Sequence, residues 1–359
     1  GAAGLADDSR EVELLQELCD AIEGFPRHMS IHVGGMVISD GPIADVVPVE
    51  PAAMPDRTVI AWDKDDAAVA GLVKIDLLGL GMLTMIGMGI RYVRENTGVE
   101  IDIGQLGFDD PKIYEMMCKA DTVGLFQIES RAQMNTLPRM RPNCFYDLVV
   151  EVALIRPGPI QGGMVHPYLN RRAGREKVTY PHPSLEPILR RTLGVPLFQE
   201  QLMKVAVAAA GFTPSEADKL RRAMGSKRSR AAMNALLDRL RGGMRANGYD
   251  EKTIESIVGQ VTGFADYGFP EAHAASFAVL VYASAYLKCY HPVEFYCALL
   301  NAQPMGFYSP ATIAGDARRH GVPFLAIDVN QSGWDCACEG HAVRMGLRMV
   351  RGIGSAERE

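Results

Sequence analysis

The chain changes its hydrophobic rhythm once, near Gly81, and that switch limits the folds open to it. Before Gly81 the apolar runs are short and punctuated by Gly and Pro: Gly34-Gly-Met-Val-Ile38, Val46-Val-Pro-Val49, Thr58-Val-Ile-Ala61 and Gly71-Leu-Val-Lys-Ile-Asp-Leu77. Such runs, bounded by turn residues, predict strands of one small sheet. Ahead of them, Val12, Leu15, Leu18, Cys19 and Ile22 recur at helical spacing and predict a helix over residues 5–22, ended by Gly24-Phe-Pro26. After Gly81 the pattern is mainly helical to about Gln303, and short strands return at 324–329 and 342–349. The expected class is α+β: a small, partial sheet followed by a large, mainly helical domain.

One helix start is well marked. Thr213-Pro-Ser-Glu216 offers a capping hydroxyl, a proline at the first helical position and a glutamate at the third. The helix is expected to run to about Met224, with Arg221 and Arg222 in its last turns and Asp218 one turn before them. A second helix follows Ser229 and is expected to weaken or end at Gly242-Gly243. A third runs from about Asp250 to about Gly263.

The longest nearly uncharged apolar stretch, 274–287, falls short of the roughly 18–20 residues a membrane span needs. No secretory leader opens the chain, and the seven cysteines hold one close pair, Cys336-Ala-Cys338, too poorly spaced for a zinc or disulfide framework. A cytoplasmic protein with no membrane partner is expected. The chain starts at Gly1 without a Met and stops in Arg-Glu, which reads as a piece of a longer protein.

The formal charge is −6, yet residues 131–245 hold 20 Lys and Arg against 8 Asp and Glu. A basic block between acidic flanks fits a polyanion partner, and equally a solvated basic surface. Within it, the Lys and Arg run from Arg221 to Arg230 contains no acid. A helix C-terminus favours nearby cations, and the excess suits a triphosphate or a nucleic-acid backbone. Arg156-Pro-Gly-Pro159 places a guanidinium beside stiff backbone, aimed at a phosphate or paired with a neighbouring acid.

Asp76 stands inside an apolar strand, on the same side as Lys74 and Leu78. A buried carboxylate there needs a partner, which a divalent metal or Lys74 would supply; on a half-exposed strand it faces water. Asp63-Lys-Asp65-Asp66 puts two carboxylates two apart, which on a strand share a face and can share metal ions. Clusters of that kind before a turn are usually solvated, and no Gly-rich phosphate loop accompanies this one. The aromatic and polar residues of Phe264-Ala-Asp-Tyr-Gly-Phe269, His273 and Ser276-Phe277 read as a base-stacking surface or as core. His28 and His32 straddle a Pro-bounded boundary and are not expected to bind zinc. P-loop, GxSxG and HExxH patterns are all missing.

Taken in order, several segments resemble the alpha subunit of bacterial DNA polymerase III, the C-family polymerases. They are His32-Val-Gly-Gly-Met-Val-Ile38, Gly71-Leu-Val-Lys-Ile-Asp-Leu-Leu-Gly-Leu80, Gly124-Leu-Phe-Gln-Ile-Glu-Ser130, Ile155-Arg-Pro-Gly-Pro159, Phe198-Gln-Glu-Gln201, Leu220-Arg-Arg-Ala-Met-Gly225, Tyr267-Gly-Phe and His291-Pro-Val-Glu-Phe295. Gly24-Phe-Pro-Arg-His28, Leu137-Pro-Arg-Met-Arg-Pro142 and Gln161-Gly-Gly-Met-Val-His-Pro167 are similar to the error-prone branch, which is associated with damage tolerance.

The resemblance implies a layout: 1–28 the end of the thumb, 29–81 the second half of a polymerase-beta-like palm, 82–335 the fingers, and 336–359 the start of a helix-hairpin-helix region. It implies a DNA-directed DNA polymerase using Mg²⁺, with primer-template DNA and dNTP as partners. A sliding clamp and mutagenesis accessory proteins would be reached through regions absent here. Asp76 matches the third palm carboxylate and metal ligand, and Lys74 lies beside the primer end. Arg221, Arg222, Lys227, Arg156 and His273 match nucleotide-facing positions. The family's Pro-Asp-x-Asp motif, which carries the other two ligands, does not occur in this chain. With one of three carboxylates, this stretch by itself is expected to bind nucleotide or DNA weakly and to catalyse nothing. Three alternatives stand: a replicative C-family subunit, a non-catalytic DNA-binding module, and another phosphoryl-transfer enzyme built on Asp63, Asp65 and Asp76.

Overall fold

The structure, a computed structural model, describes residues 10–23, 35–52, 56–76, 81–155, 165–224, 230–264, 269–350 and 352–353. The chain divides into two units, Gly1–Leu78 and Gly79–Glu359.

In the first unit, α1 (Arg10–Ile22) has the expected amphipathic pattern, with Leu14, Leu15, Leu18 and Ile22 all exposed. Strand β1 (Gly35–Ile38) pairs antiparallel with β4 (Val73–Asp76), and β2 (Val49–Pro51) with β3 (Thr58–Ile60). The single sheet expected from the sequence is therefore two separate ribbons among the described residues. Most of the strand expected at 46–49 is also missing. The Val46 and Val47 N–H groups both donate to the Ile43 carbonyl, at 3.1 and 3.0 Å, and so are not available to a ladder. Helix α2 (Lys64–Val69) precedes β4, and the Leu72 N–H turns back onto the Ala67 carbonyl to aim that strand.

The second unit is mainly helical. The helices α3 (Met82–Thr97), α4 (Pro111–Cys118), α5 (Arg131–Met140), α6 (Phe145–Leu154) and α7 (Val165–Arg172) lead to the short α8 (Glu186–Leu189). Four more follow: α9 (Gln199–Ala210), α10 (Pro214–Met224), α11 (Arg230–Ala246) and α12 (Glu251–Phe264). The last three are α13 (Glu271–Tyr290), α14 (Pro292–Asn301) and α15 (Pro310–Arg319). The apolar stretch 274–287 lies in α13, whose alanines 274, 278 and 285 are fully buried and let α6, α3 and α14 approach closely. Among the described residues no helix is long and apolar enough to cross a membrane.

Two cores form. The larger surrounds α13; the smaller gathers α9 to α12 around Leu202, Val205, Leu220, Leu240 and Ile254. The capping box expected at Thr213 is present: the Thr213 N–H donates to Glu216 Oε2 at 2.7 Å, and the Glu216 N–H to Thr213 Oγ1 at 3.2 Å. Gly242-Gly243 does not end α11. Gly243 faces the Ala210 carbonyl so closely that an added Cβ would lie 2.2 Å from that oxygen, so the glycine serves helix crossing rather than termination. At the C-terminal end β5 (Phe324–Leu325), β6 (Ala337–Glu339) and β7 (Ala342–Arg344) form a sheet in the order β5-β7-β6, with β6 not anticipated from the sequence.

Helix α6 is buried along most of its length and carries two acids one turn apart. Asp147 takes a two-pronged pair from Arg172, at 2.7 and 2.6 Å, and Arg172 also donates to the Met140 and Arg141 carbonyls. That cluster fastens α7 to the end of α5. Among the described residues Glu151 has no hydrogen-bond partner on either carboxylate oxygen, and it has no exposure. Burial pushes its carboxyl up to about 8, against the pull of the Arg139 guanidinium.

The folded protein therefore holds a proton on Glu151 that the unfolded chain releases above about 4.5. The stability this contributes is complete below that pH and is lost as pH rises to about 8. Glu151→Gln should melt close to wild type at pH 4.5 and distinctly above it at pH 8.5, as read by thermal unfolding at both pH values. Gly243→Ala should destabilise by about 2–4 kcal/mol through overlap with fixed backbone. Gly242→Ala, which meets nothing within 4 Å, should instead stabilise by up to about 1 kcal/mol; denaturant midpoints of the two variants test the contrast.

Candidate functional site

In the first unit, Lys74 and Asp76 both belong to β4. Lys74 is exposed and stands across from Val37, and Asp76 closes the strand across from Gly35. The rival cluster is differently built. Residues 64–69 are helical, so Asp63 and Asp65 do not share a strand face. Asp63 Oδ1 accepts the Asp66 N–H at 2.8 Å and so satisfies the first turn of α2. The helix removes the shared strand face on which a metal cluster of Asp63, Asp65 and Asp76 would rest.

In the second unit, the end of α10 presents Arg221 and Arg222. The run is less free of acid than its sequence suggests, because Asp218 serves both. Arg221 Nε and Nη2 reach Asp218 Oδ1 at 3.0 and 2.9 Å, and Arg222 Nε reaches Oδ2 at 2.8 Å. The spacings i to i+3 and i to i+4 set this up, and they were visible in Asp218-Lys-Leu-Arg-Arg222. The Arg221 guanidinium leads the effects that hold the Asp218 carboxyl below its usual range. The pair keeps one net positive charge, and the Arg222 side chain is 74% exposed.

His273 sits in the first turn of α13 as the middle ring of a ladder. Its ring lies 5.2 Å from Phe269 and 4.2 Å from Phe277, which in turn meets Phe126 edge-on at 5.0 Å. The ladder is part core, part surface: Phe126 is buried and His273 exposed. Arg156, Lys227, His28 and His32 lie outside the described residues.

One group in the second unit has a metal-like arrangement that sequence reasoning missed: Asp121, Asp316 and His320 converge within 4.8 Å. Its centre is taken by a lysine. The fully buried Lys288 Nζ lies 2.8 Å from Asp121 Oδ1, 3.0 Å from Asp316 Oδ2 and 3.1 Å from the Val123 carbonyl. Tyr296 donates to Asp316 at 2.7 Å, and His320 Nε2 meets Asp121 Oδ2 at 2.6 Å. Burial alone would raise both aspartates; the Lys288 ammonium beside them brings both below the usual carboxylate range. The donors are saturated by protein cations, so the cluster does not fit a divalent ion.

The neighbouring Gly124-Leu-Phe-Gln-Ile-Glu-Ser130 segment is likewise structural. Buried Glu129 accepts the Gly124 N–H at 3.0 Å, and Ser130 and Gln133 form the capping box of α5.

Comparison with known families follows the same division. Residues 2–79 match the bacterial DNA polymerase III alpha NTPase domain, 82–248 the finger domain of the same subunit, and 321–359 a helix-hairpin-helix motif. The chain belongs to the bacterial DNA polymerase III alpha subunit family. Its similar relatives are named error-prone DNA polymerases. That of Methylococcus capsulatus is 52% identical over 99% of this chain and 36% of its own length. The Corynebacterium glutamicum protein is 59% identical over 94% of this chain and 32% of its own, and the Mycolicibacterium paratuberculosis protein 56% over 97% and 32%. The chain thus spans about a third of the length of the curated relatives it matches.

Lys288→Met should take the buried ammonium from between Asp121 and Asp316, leaving Arg319, Tyr296 and His320 as their partners, and cost about 3–5 kcal/mol of stability, read as a fall in denaturant midpoint. Added Mn²⁺ should leave the wild-type melting temperature unchanged; a rise would reinstate the Asp121/Asp316/His320 cluster as a metal site.

Proposed function

We propose that this chain is part of an error-prone DNA-directed DNA polymerase that extends a primer across damaged template. The carrying observation is the guanidinium pair of Arg221 and Arg222, held by one carboxylate at an exposed helix end. Two forks with a shared anchor are preorganised for triphosphate oxygens, whereas loose side chains would have to be ordered on binding. The names of the relatives support the activity.

In this reading the primer 3′-oxygen forms a bond to the α-phosphorus of a dNTP. The bond to the bridging oxygen toward the β-phosphate breaks, the hydroxyl proton is lost, and pyrophosphate leaves. Arg221, Arg222, Lys227 and Arg156 offset triphosphate charge, and His273 with its aromatic neighbours lies along the nucleotide. Lys74 flanks the primer end. Asp76 would be one ligand for Mg²⁺, which when bound would supply stabilisation of the charge that develops on the reacting oxygens. One strand carboxylate does not hold a pair of ions, so the other ligands come from sequence beyond this chain. The first unit supports that view. Met36 and Ile38 pair across the β1–β4 ribbon with Ile75 and Val73, and all four are exposed, an apolar face that a two-stranded ribbon does not leave in water unaided. Primer-template DNA, a sliding clamp and mutagenesis accessory proteins are the partners of the whole polymerase, acting in the cytoplasm.

The test is primer extension with Mg²⁺ by the full-length parent. Wild type should extend the primer, Asp76→Asn should lose at least about 10³-fold while melting normally, and the 359-residue chain alone should add nothing. Undiminished extension by Asp76→Asn removes the ligand assignment. A wild type that binds DNA without extending it returns the reading to a binding module.

A further inference from the structure

We propose that Glu200 is a positioning residue, fixing the start of α13, and His273 with it, to the helix pair that carries Arg221 and Arg222. The first N–H groups of any helix lack partners within the helix and need an acceptor from elsewhere. Helix α13 cannot provide one locally, because its N-cap is Pro270, which has no side-chain acceptor. Glu200, the second residue of α9, provides it from 71 positions earlier: its Oε2 accepts the Glu271 N–H at 2.9 Å. The adjoining residues grip the other side of the proline. The Gln199 N–H donates to the Phe269 carbonyl at 3.0 Å, and Phe198 and Phe269 form a parallel bridge. The Glu271 side chain is tied elsewhere, to the Tyr146 hydroxyl on α6 at 2.9 Å, so its link to α9 runs through the backbone.

What makes this contact consequential is the helix it starts from. Phe198, at the head of α9, is wholly buried in the larger core, while Leu202, Val205, Ala206 and Ala209 enter the smaller core with Leu220 of α10. Helix α9 therefore spans both cores. Arg221 and Arg222 follow Leu220 directly on α10, and His273 follows Glu271 by two residues on α13. A carboxylate on a helix N-terminus is favourable in charge as well as in hydrogen bonding, so the joint is stiffer than a neutral acceptor would make it. Its effect on catalysis is indirect, because Glu200 touches backbone and not the nucleotide.

The inference rests on the polymerase reading, and the experiment separates the two. Single-nucleotide incorporation by the full-length parent is compared for wild type, Glu200→Ala, Glu200→Gln and Arg222→Ala, with melting temperatures alongside. Glu200→Ala should raise KM for the incoming dNTP about tenfold, the size of one lost charge-assisted hydrogen bond, with kcat within about twofold. Glu200→Gln keeps an acceptor oxygen and should stay within about threefold of wild type. If Glu200→Ala does not fold, Glu200→Asp, which withdraws the oxygen by one methylene, should raise KM in the same sense. An unchanged KM in the folded variant, or equal damage from Gln and Ala, overturns the inference. Arg222→Ala raising KM while Glu200→Ala does not would sink this inference alone. A wild type that adds no nucleotide would sink the polymerase reading and this inference together.

Discussion

A twenty-residue helix with one acid in its first turn and one lysine near its end has to be enclosed, and the larger unit is organised to enclose α13. Its small residues set how closely α6, α3 and α14 approach, and its single buried cation sets the polar chemistry of that core. The Lys288 side chain has no exposure, so it needs anions brought to it from other elements. Asp121 comes from the loop after α4 and Asp316 from α15, and Tyr296, Arg319 and His320 add further hydrogen bonds to them. The ammonium thereby joins α13 to the loop after α4 and to α15, and Tyr296 on Asp316 adds α14. A cluster of two aspartates and a histidine looks like a metal site only until that ammonium is counted.

The smaller core solves a different problem. It must present cations without burying them, so its helices pack through Leu202, Leu220, Leu240 and Ile254 and leave the end of α10 in solvent. Gly243 lets α11 cross beside Ala210, and Arg239 closes that crossing by donating to the Ala210 carbonyl at 3.1 Å. The α9–α10 pair is stiff for these reasons, and it meets the larger core at Phe198. Rigid elements carrying exposed charge suit recognition of a charged ligand better than a mobile basic loop does, because less ordering accompanies binding.

Much of this was legible in the sequence where local chemistry decides. The Thr213 capping box, the helices after Ser229 and Asp250, and the strands at 35–38, 58–60 and 73–76 follow from caps, punctuation and period. Legibility failed where a residue's role is set by something distant. Gly242-Gly243 reads as a stop until the Ala210 carbonyl is placed against it. Val46 and Val47 read as strand until Ile43 claims their N–H groups. Asp63 and Asp65 read as neighbours on one strand face until the chain turns helical at Lys64. The candidate site divides in the same way. Asp76 and the arginines stood out by type and context, but the Lys288 cluster joins residues 195 positions apart and left no local trace beyond a charge inside an apolar helix.

The carboxylate between Arg221 and Arg222 bears on how a basic block should be interpreted. An acid one turn before two arginines looks at first like neutralisation, which would weaken the case for an anionic ligand. The geometry argues otherwise. Asp218 spends one oxygen on each guanidinium, and its hydrogen bond from Arg222 comes from Nε. One charge of two is cancelled, while both planes are held. For an exposed pair the Coulombic gain is small in any case. What the acid supplies is direction, and in the proposed site two directed guanidinium groups with one remaining positive charge would need less ordering on a phosphate chain than two free arginines.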